Sequence, residues 1–476
     1  MNQVKLQLFI SPDTTFPTDV DFVLPQLLTK KWRLSSREPL VVSCGSASNI
    51  VRVAPSQRAN KSRMLRMRAS LARLLGLYGD GAVNIRYFPQ HHRLQLGPLL
   101  GVLTNGINSQ AAHDQRFGSM TRFYNECQQA ALLRGIRLYV FTAEDLDVQG
   151  KQINGWVNVN GCWEQHKCPL PEVVYNRITS RRIEAGEHLQ QKIQWLKRRY
   201  PVQLFNEQFL DKWQVHSALW HDAKMRPILP VTRPYDKIMQ LRDMLKQYET
   251  VYVKPVNGSL GQGVMRLTSK GGRYHMQYTT LNSTITKKDL SLKEVAQHMA
   301  RRSRQGKYLM QQGLQLITSL NRNIDFRALV QKNGRGQWTI TSIVGRIAAD
   351  TSIVSNLARG GTIAPVSHIL QQVDPNLPKP TLPSLRGCAL QVAHVFEQQI
   401  NGHFAELGID LAVDKKGKVW LLEINSKPSK TDDAIANAEL LIRPSVHKTM
   451  DYTLYVTKFP LKSRSRSIRT KTKVIR

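Results

Sequence analysis

Three oxygen-bearing side chains interrupt an otherwise apolar hairpin. The stretch ELGIDLAVDKKGKVWLLEINSKP, residues 406–428, alternates like two strands around the turn candidates in KKGK. A turn that pairs Asp414 with Val419 sets Asp410 directly opposite Glu423. Ile409, Leu411, Val413, Trp420, Leu422 and Ile424 then share an apolar face for a core, and Asp410, Glu423 and Asn425 share the other. Directly opposed carboxylates repel, and a divalent cation is the simplest compensator. Two carboxylates and an amide oxygen are hard ligands, which favour Mg²⁺ or Mn²⁺ over zinc. The alternative is a polar face that merely meets water.

Two further stretches carry phosphate-type chemistry. In YVKPVNGSLGQGV, residues 252–264, a strand ends near Lys254, and Gly258, Gly261 and Gly263 follow. Glycines let backbone N–H groups approach phosphate oxygens, and a lysine at a strand end adds a point charge. The lysine precedes the glycines, so this is neither a G-x-x-x-x-G-K-[ST] loop nor a G-x-G-x-x-G loop. A Gly-rich hairpin without ligand is the alternative. In NIDFRALV, Asp325 and Arg327 alternate with apolar residues, and TSIVGRIAADTSIVSNLARGG (341–361) holds Arg346, Asn356 and Arg359. Three arginines near a phosphate site would neutralise transferring charge and hold a carboxylate bidentately, although each alone is most often a surface residue.

The chain must build elements to hold these residues, and at 476 residues with 41% hydrophobic content it has ample core. Residues 1–95 read as a β-rich or α+β domain, with a helical stretch at SRMLRMRASLARLLGL. Residues 96–205 alternate strand, helix and strand, which suits an open α/β layer. Residues 206–457 are α+β with one long amphipathic helix over 384–407, capped at Ser384 and stopped at Gly408. Its stripe of Leu385, Cys388, Val392, Val395, Phe396, Ile400 and Phe404 is core.

Composition narrows the surroundings. Five cysteines in so long a chain argue for reduced thiols and a cytosolic start, and no apolar h-region or membrane span is expected. Cys162, His166 and Cys168 lack a fourth ligand and the usual spacing for zinc, so an ordinary loop between strands is expected there. The formal net charge of +34 attracts polyanions. Arg52 to Arg73 holds seven basic residues and no acid, and the tail from Lys458 to Arg476 holds eight and no acid. The tail reads as a mobile basic arm for an anionic polymer or, equally, as a solubilising end.

Taken in order, Lys254 with its Gly-rich loop, the hinge-like YLMQQGLQL, DFR, R…N-x-x-R-G-G and D…E-x-N resemble the ATP-grasp superfamily of carboxylate–amine ligases. LGPLLGVLT, INGWVNVNGCWEQHKCPLPEVVYNRI and YLMQQGLQL are similar to the endospore coat-associated YheC/YheD-like branch. The resemblance implies a multidomain α+β and α/β protein in which an ATP-grasp fold follows a small α/β domain and an N-terminal β-rich domain. It implies an ATP- and Mg²⁺-dependent ligase that forms an amide through an acyl phosphate during spore formation, cytoplasmic or coat-associated and often oligomeric. Lys254 and Lys212 would hold ATP phosphates under the loop of Gly258, Ser259, Gly261 and Gly263. Gln312, Gly313 and Leu314 would meet the adenine, and Asp325 and Arg327 would line the nucleotide side. Asp410, Glu423 and Asn425 would carry Mg²⁺, and Arg346, Asn356 and Arg359 would orient the acceptor carboxylate. Two departures stand out: Gln312 replaces a commonly acidic hinge residue, and Ser426, Lys427, Pro428 and Ser429 replace a small residue, Pro and Gly. Lys427 could reach phosphate or block the acceptor pocket. The other readings are an ATP-binding structural protein of the spore coat without turnover, and a polyanion binder.

Overall fold

A computed structural model describes residues 2–35, 38–56, 63–112, 115–258, 261–280, 283–304, 306–349, 360–430 and 441–459. Four sheets organise them. The first has eight strands and runs from Gln3–Ser11 to Arg93–Gly97. Within it, the stretch expected to be helical from residue 62 begins instead with the strand Met64–Arg68 and turns helical only at Ala69–Leu74. The reason is a period of two: Leu65 and Met67 point inward and are fully buried, while the intervening Arg66 and Arg68 stay at the edge of the core.

The second sheet is built on Leu99–Leu103, whose five residues are all buried. Arg137–Phe141 lies parallel on one side of it and Val173–Asn176 parallel on the other. The helix Thr121–Arg134 joins the first pair and ends at Gly135 in the left-handed region. One apolar core joins these two sheets, from Leu6 and Leu8 through Leu99 and Tyr139 to Leu204. Cys162–Pro169 is a hairpin strand against Gln152–Val159. Cys162 is exposed and Cys168 buried, and His166 stacks on Tyr78 with centroids 4.0 Å apart. No group of three His, Cys, Asp or Glu suited to a metal occurs among the described residues. No helix among them is long and apolar enough to cross a membrane.

The third sheet is antiparallel, with six strands between Thr232–Pro234 and Tyr308–Gln312. Helices Ile238–Tyr248 and Leu292–Ser303 cover one face, packing Leu241, Met244, Val295 and Met299 on Val251, Val253, Met265 and Met310. Strand alternation sends Tyr252, Lys254 and Arg266 to the opposite face.

The fourth sheet orders Thr362–Pro365, Trp338–Ile347, Arg322–Lys332, Glu406–Val413 and Val419–Asn425, all antiparallel. The helix Leu382–Gln399 covers one face with Leu385, Ala389, Val392 and Phe396. Burying a side chain such as Phe396 contributes about 2 kcal/mol. The helix is shorter than its apolar stripe suggested. Thr381 caps it through Ser384 N at 3.2 Å, and the chain leaves it at Ile400. Phe404 reaches the same core from the following loop, 5.2 Å from Phe396. Gly408 is no helix stop; it lies in the strand, where a Cβ would sit 2.9 Å from Pro428 Cβ.

The hairpin also differs from a simple pairing. Gly408, Ile409 and Asp410 oppose Asn425, Ile424 and Glu423 as expected, but a bulge follows. Beyond it Leu411 opposes Leu421 and Val413 opposes Val419, so Asp414 falls in the turn. Its Oδ1 accepts from the N–H groups of Lys416 and Lys418 at 2.9 and 3.0 Å. The core face therefore takes Val419 and Leu421 in place of Trp420 and Leu422.

Candidate active site

The polar face of the fourth sheet carries alternating charge along its register. Asp325 lies opposite Arg346, Arg327 opposite Asp410, and Asp410 opposite Glu423. These side chains close into a cluster. Arg346 donates Nε to Asp325 Oδ1 at 2.6 Å and Nη2 to Asp325 Oδ2 at 2.8 Å. Its Nη2 also lies 3.0 Å from Asp410 Oδ2. Arg327 holds Asp410 with its own fork, through Nε to Oδ1 and through Nη2 to Oδ2 at 2.9 Å. Burial alone would raise the Asp410 carboxyl, but the Arg327 and Arg346 guanidiniums outweigh it and hold Asp410 below the usual carboxylate range. The repulsion anticipated between Asp410 and Glu423 is thus relieved first by the chain's own arginines.

Glu423 is left on the open side, its side chain 31% exposed, with Lys212 Nζ 3.6 Å from Oε1. Lys212 stands at the start of the helix Lys212–Trp220, whose Asp211 cap accepts from Trp213 N at 2.8 Å and Gln214 N at 2.9 Å. From the third sheet, Lys254 reaches the same place. Its Nζ donates to Gln311 Oε1 at 2.5 Å. Burial and the nearby Lys212 charge lower its pKa to about 8, while Glu423 and Asp410 pull the other way.

The structure therefore brings together Lys212, Lys254, Asp325, Arg327, Arg346, Asp410 and Glu423, with Asn425 two residues along on the face of Glu423. Gly258, Gly261 and Gly263 belong to the connection from Lys254 into Met265–Lys270; Gly261 and Gly263 have φ of +67° and +69°, a region that favours glycine. Gln312 and Gly313 lead from the third sheet toward the fourth. Their N–H groups bond Val231 O at 2.8 Å and Thr250 O at 2.9 Å, and Gln312 Oε1 accepts from Val231 N at 3.3 Å. Leu314, beside them, is half-buried. Ser259, Asn356 and Arg359 lie outside the described residues.

Sequence reasoning missed Gln311 as the partner of Lys254, since strand parity alone does not reveal a side-chain bond. It also left Lys427 open. Lys427 turns away from the cluster and ion-pairs with buried Glu184, under Phe209 at 4.7 Å. Glu184 also accepts from Asn176 Nδ2 at 3.0 Å and Phe209 N at 2.5 Å.

The donor set suits a hard cation. Mg²⁺ takes one or two carboxylates and completes its shell with water and phosphate oxygens. Among the described residues, Asp410 Oδ1 accepts only from Arg327 Nε, so a lone pair remains, and Glu423 is accessible.

A sheet bearing acid and arginine pairs, faced by a second sheet carrying a lysine and a Gly-rich loop, defines an ATP-grasp protein. Residues 201–456, more than half of the chain, match the model of the YheC/D like ATP-grasp family, and the chain belongs to that family. It is similar to the endospore coat-associated protein YheD of Bacillus subtilis (strain 168), 30% identical over 369 residues, covering 77% of this chain and 80% of that protein. The endospore coat-associated protein YheC of the same strain is 23% identical over 328 residues, covering 66% of this chain and 88% of that protein. Among solved structures, D-alanyl-alanine synthetase A from Vibrio cholerae O1 biovar eltor str. N16961 aligns at a TM-score of 0.46 and 13% identity, covering 76% of this chain and 99% of that one.

Proposed function

We propose that this chain is an ATP- and Mg²⁺-dependent carboxylate–amine ligase acting in spore formation, in the cytoplasm or at the coat. The observation that carries the reading is the convergence of Lys212 and Lys254 on the open Glu423 beside an Asp410 already held by two arginines. Such an arrangement has positive charge for phosphates and an acidic wall for a cation.

In this reading a carboxylate oxygen of the acceptor attacks the γ-phosphorus of ATP. The bond to the bridging oxygen breaks, giving an acyl phosphate and ADP. An amine then attacks the acyl carbon, loses a proton, and expels inorganic phosphate as the amide forms. No side chain need act as nucleophile, so the protein's work is positioning and charge stabilisation. Lys254 and Lys212 hold the phosphates, the Gly258–Gly263 loop closes over them, and Gln312 to Leu314 line the base. Arg346, with Asn356 and Arg359, orients the acceptor. Asp410, Glu423 and Asn425 would hold Mg²⁺, which would supply positive charge to offset that of the phosphates.

The test is coupled ADP release with Mg²⁺ over a panel of amino acids and peptides. Acceptor-dependent ADP release that Glu423→Gln abolishes is expected. Tight Mg·ATP binding without ADP release under any acceptor pair would favour the non-catalytic coat reading. Absence of both would overturn the nucleotide reading.

A further inference from the structure

The second sheet ends beside the proposed ligase site, and its topology makes a crevice there. Leu99–Leu103 continues through Thr121–Arg134 to its neighbour on one side, Arg137–Phe141, while its neighbour on the other side is Val173–Asn176. The strand order thus reverses between Leu99–Leu103 and Val173–Asn176, and open α/β sheets bind ligands outside the carboxyl ends of strands at such a point. The two loops leaving that point are tied together: Asn105 Oδ1 accepts from Thr179 N at 2.8 Å and Thr179 Oγ1 at 2.9 Å.

The loop after Val173–Asn176 then reaches the fourth sheet. Of its charged residues, Arg177 is buried and committed to Glu406 and to Pro428 O. Glu184 is committed to Lys427. Arg181 differs. Its Nη1 donates to Leu210 O at 2.9 Å and its guanidinium lies 4.7 Å from the Phe209 ring. Its Nε is buried with no hydrogen-bond partner among the described residues. Leu210 is followed by Asp211 and Lys212, which open the helix whose Lys212 meets Glu423, so Arg181 stands at that end of the site. A half-buried guanidinium with an unused donor beside the reacting end of the site is suited to a planar two-oxygen group.

We infer that the acceptor substrate carries a second carboxylate, besides the one that is activated, and that Arg181 binds it at the strand-order reversal. This rests on the ligase reading and adds the class of acceptor to it: a dicarboxylate, or a peptide with a free acidic side chain or terminus.

The experiment uses the full chain saturated with Mg²⁺ and a non-hydrolysable ATP analogue. Succinate, glutarate and adipate are titrated calorimetrically against their monoamides, which match them in size. At least one diacid is expected to bind about tenfold more tightly than its monoamide, the discrimination of about one charge-assisted hydrogen bond. Arg181→Gln removes that preference while analogue affinity stays within about twofold, and Arg181→Lys keeps part of it. Arg182→Gln, an exposed neighbour, keeps all of it. Equal binding of diacid and monoamide, retained preference in Arg181→Gln, or no diacid binding beside intact nucleotide binding overturns the inference. Failure of the wild-type chain to bind the analogue sinks the ligase reading instead, so the two failures are distinguishable.

Discussion

Glu406 and Glu423 lie on one face of the same sheet and live in opposite conditions. Glu406, 2% exposed, has every acceptor position used. Its Oε1 takes Tyr175 Oη at 3.0 Å and Arg177 Nη1 at 3.4 Å; its Oε2 takes Lys430 Nζ at 2.6 Å and Gln331 Nε2 at 2.8 Å. Burial would raise its carboxyl, yet Lys430 and Arg177 hold it lowered. Among the described residues Glu423 makes a long contact with Lys212, and it has access to solvent. The first carboxylate is fastened within the protein, tying the second and fourth sheets through Tyr175 and Arg177. The second has unused capacity at the end where two lysines converge. A satisfied buried network specifies structure, whereas an unsatisfied one invites a ligand.

The contrast makes its largest prediction in stability. Glu406→Leu takes the shared carboxylate away from buried Arg177 and Lys430, and breaking such a pair costs about 3–5 kcal/mol. Glu423→Gln should cost less than about 1 kcal/mol, because its site is open. Chemical denaturation of both variants decides the matter, and equal losses would erase the distinction between the two ends.

The bulge supplies the next prediction. Leu421 is 3% exposed in the core and Leu422 is only half-buried. Leu421→Ala should lose about 2–4 kcal/mol and Leu422→Ala about 1 kcal/mol or less. The reverse ranking would restore the unbroken pairing and move Trp420 and Leu422 to the core.

Activity inverts the order of the two glutamates. Glu423→Gln should lower acceptor-dependent ADP release about a hundredfold or more at unchanged thermal midpoint, the scale of losing one electrostatic partner of a transition state. Activity within a few-fold of wild type would remove Glu423 from the metal wall.

Period-two alternation made much of this legible. It separated Asp410, Glu423 and Asn425 from the core face and paired Asp410 with Glu423 before any coordinates. It failed beyond Asp410, because a bulge adds one residue without a sequence signal as clear as a glycine. The helix end was misread because Phe404 and Gly408 continue an apolar rhythm that tertiary packing, not helical hydrogen bonding, satisfies. The arginine contacts on Asp410 were out of reach, since Arg327 and Arg346 come from strands whose register only the assembled sheet sets. For the same reason Lys427 could not be placed: its partner Glu184 is far away in the chain.

The smallest effect belongs to Lys254, and it tests whether the open end is built for phosphate. Burial and Lys212 bring its pKa from an ordinary 10.5 to about 8, so the free protein begins to lose this charge just above neutrality. A bound phosphate stabilises the protonated form and raises that pKa, so nucleotide affinity is full below about 8, falls as pH rises through that value, and levels above the bound-state pKa. Lys254→Met should bind Mg·ATP about tenfold more weakly at neutral pH and show a flatter profile above it. Lys427 also sits at about 8, but it faces Glu184, so any slope left in Lys254→Met belongs to groups other than Lys254. Stability runs in the opposite direction. The unfolded chain binds the Lys254 proton between about 8 and 10.5 and the folded one does not, so the contribution of Lys254 to ligand-free stability rises with pH across that window. Affinity that falls while ligand-free stability gains, with both trends reduced in Lys254→Met, is the expected pair of signs. A wild-type affinity that stays flat through pH 8 would take Lys254 out of phosphate binding.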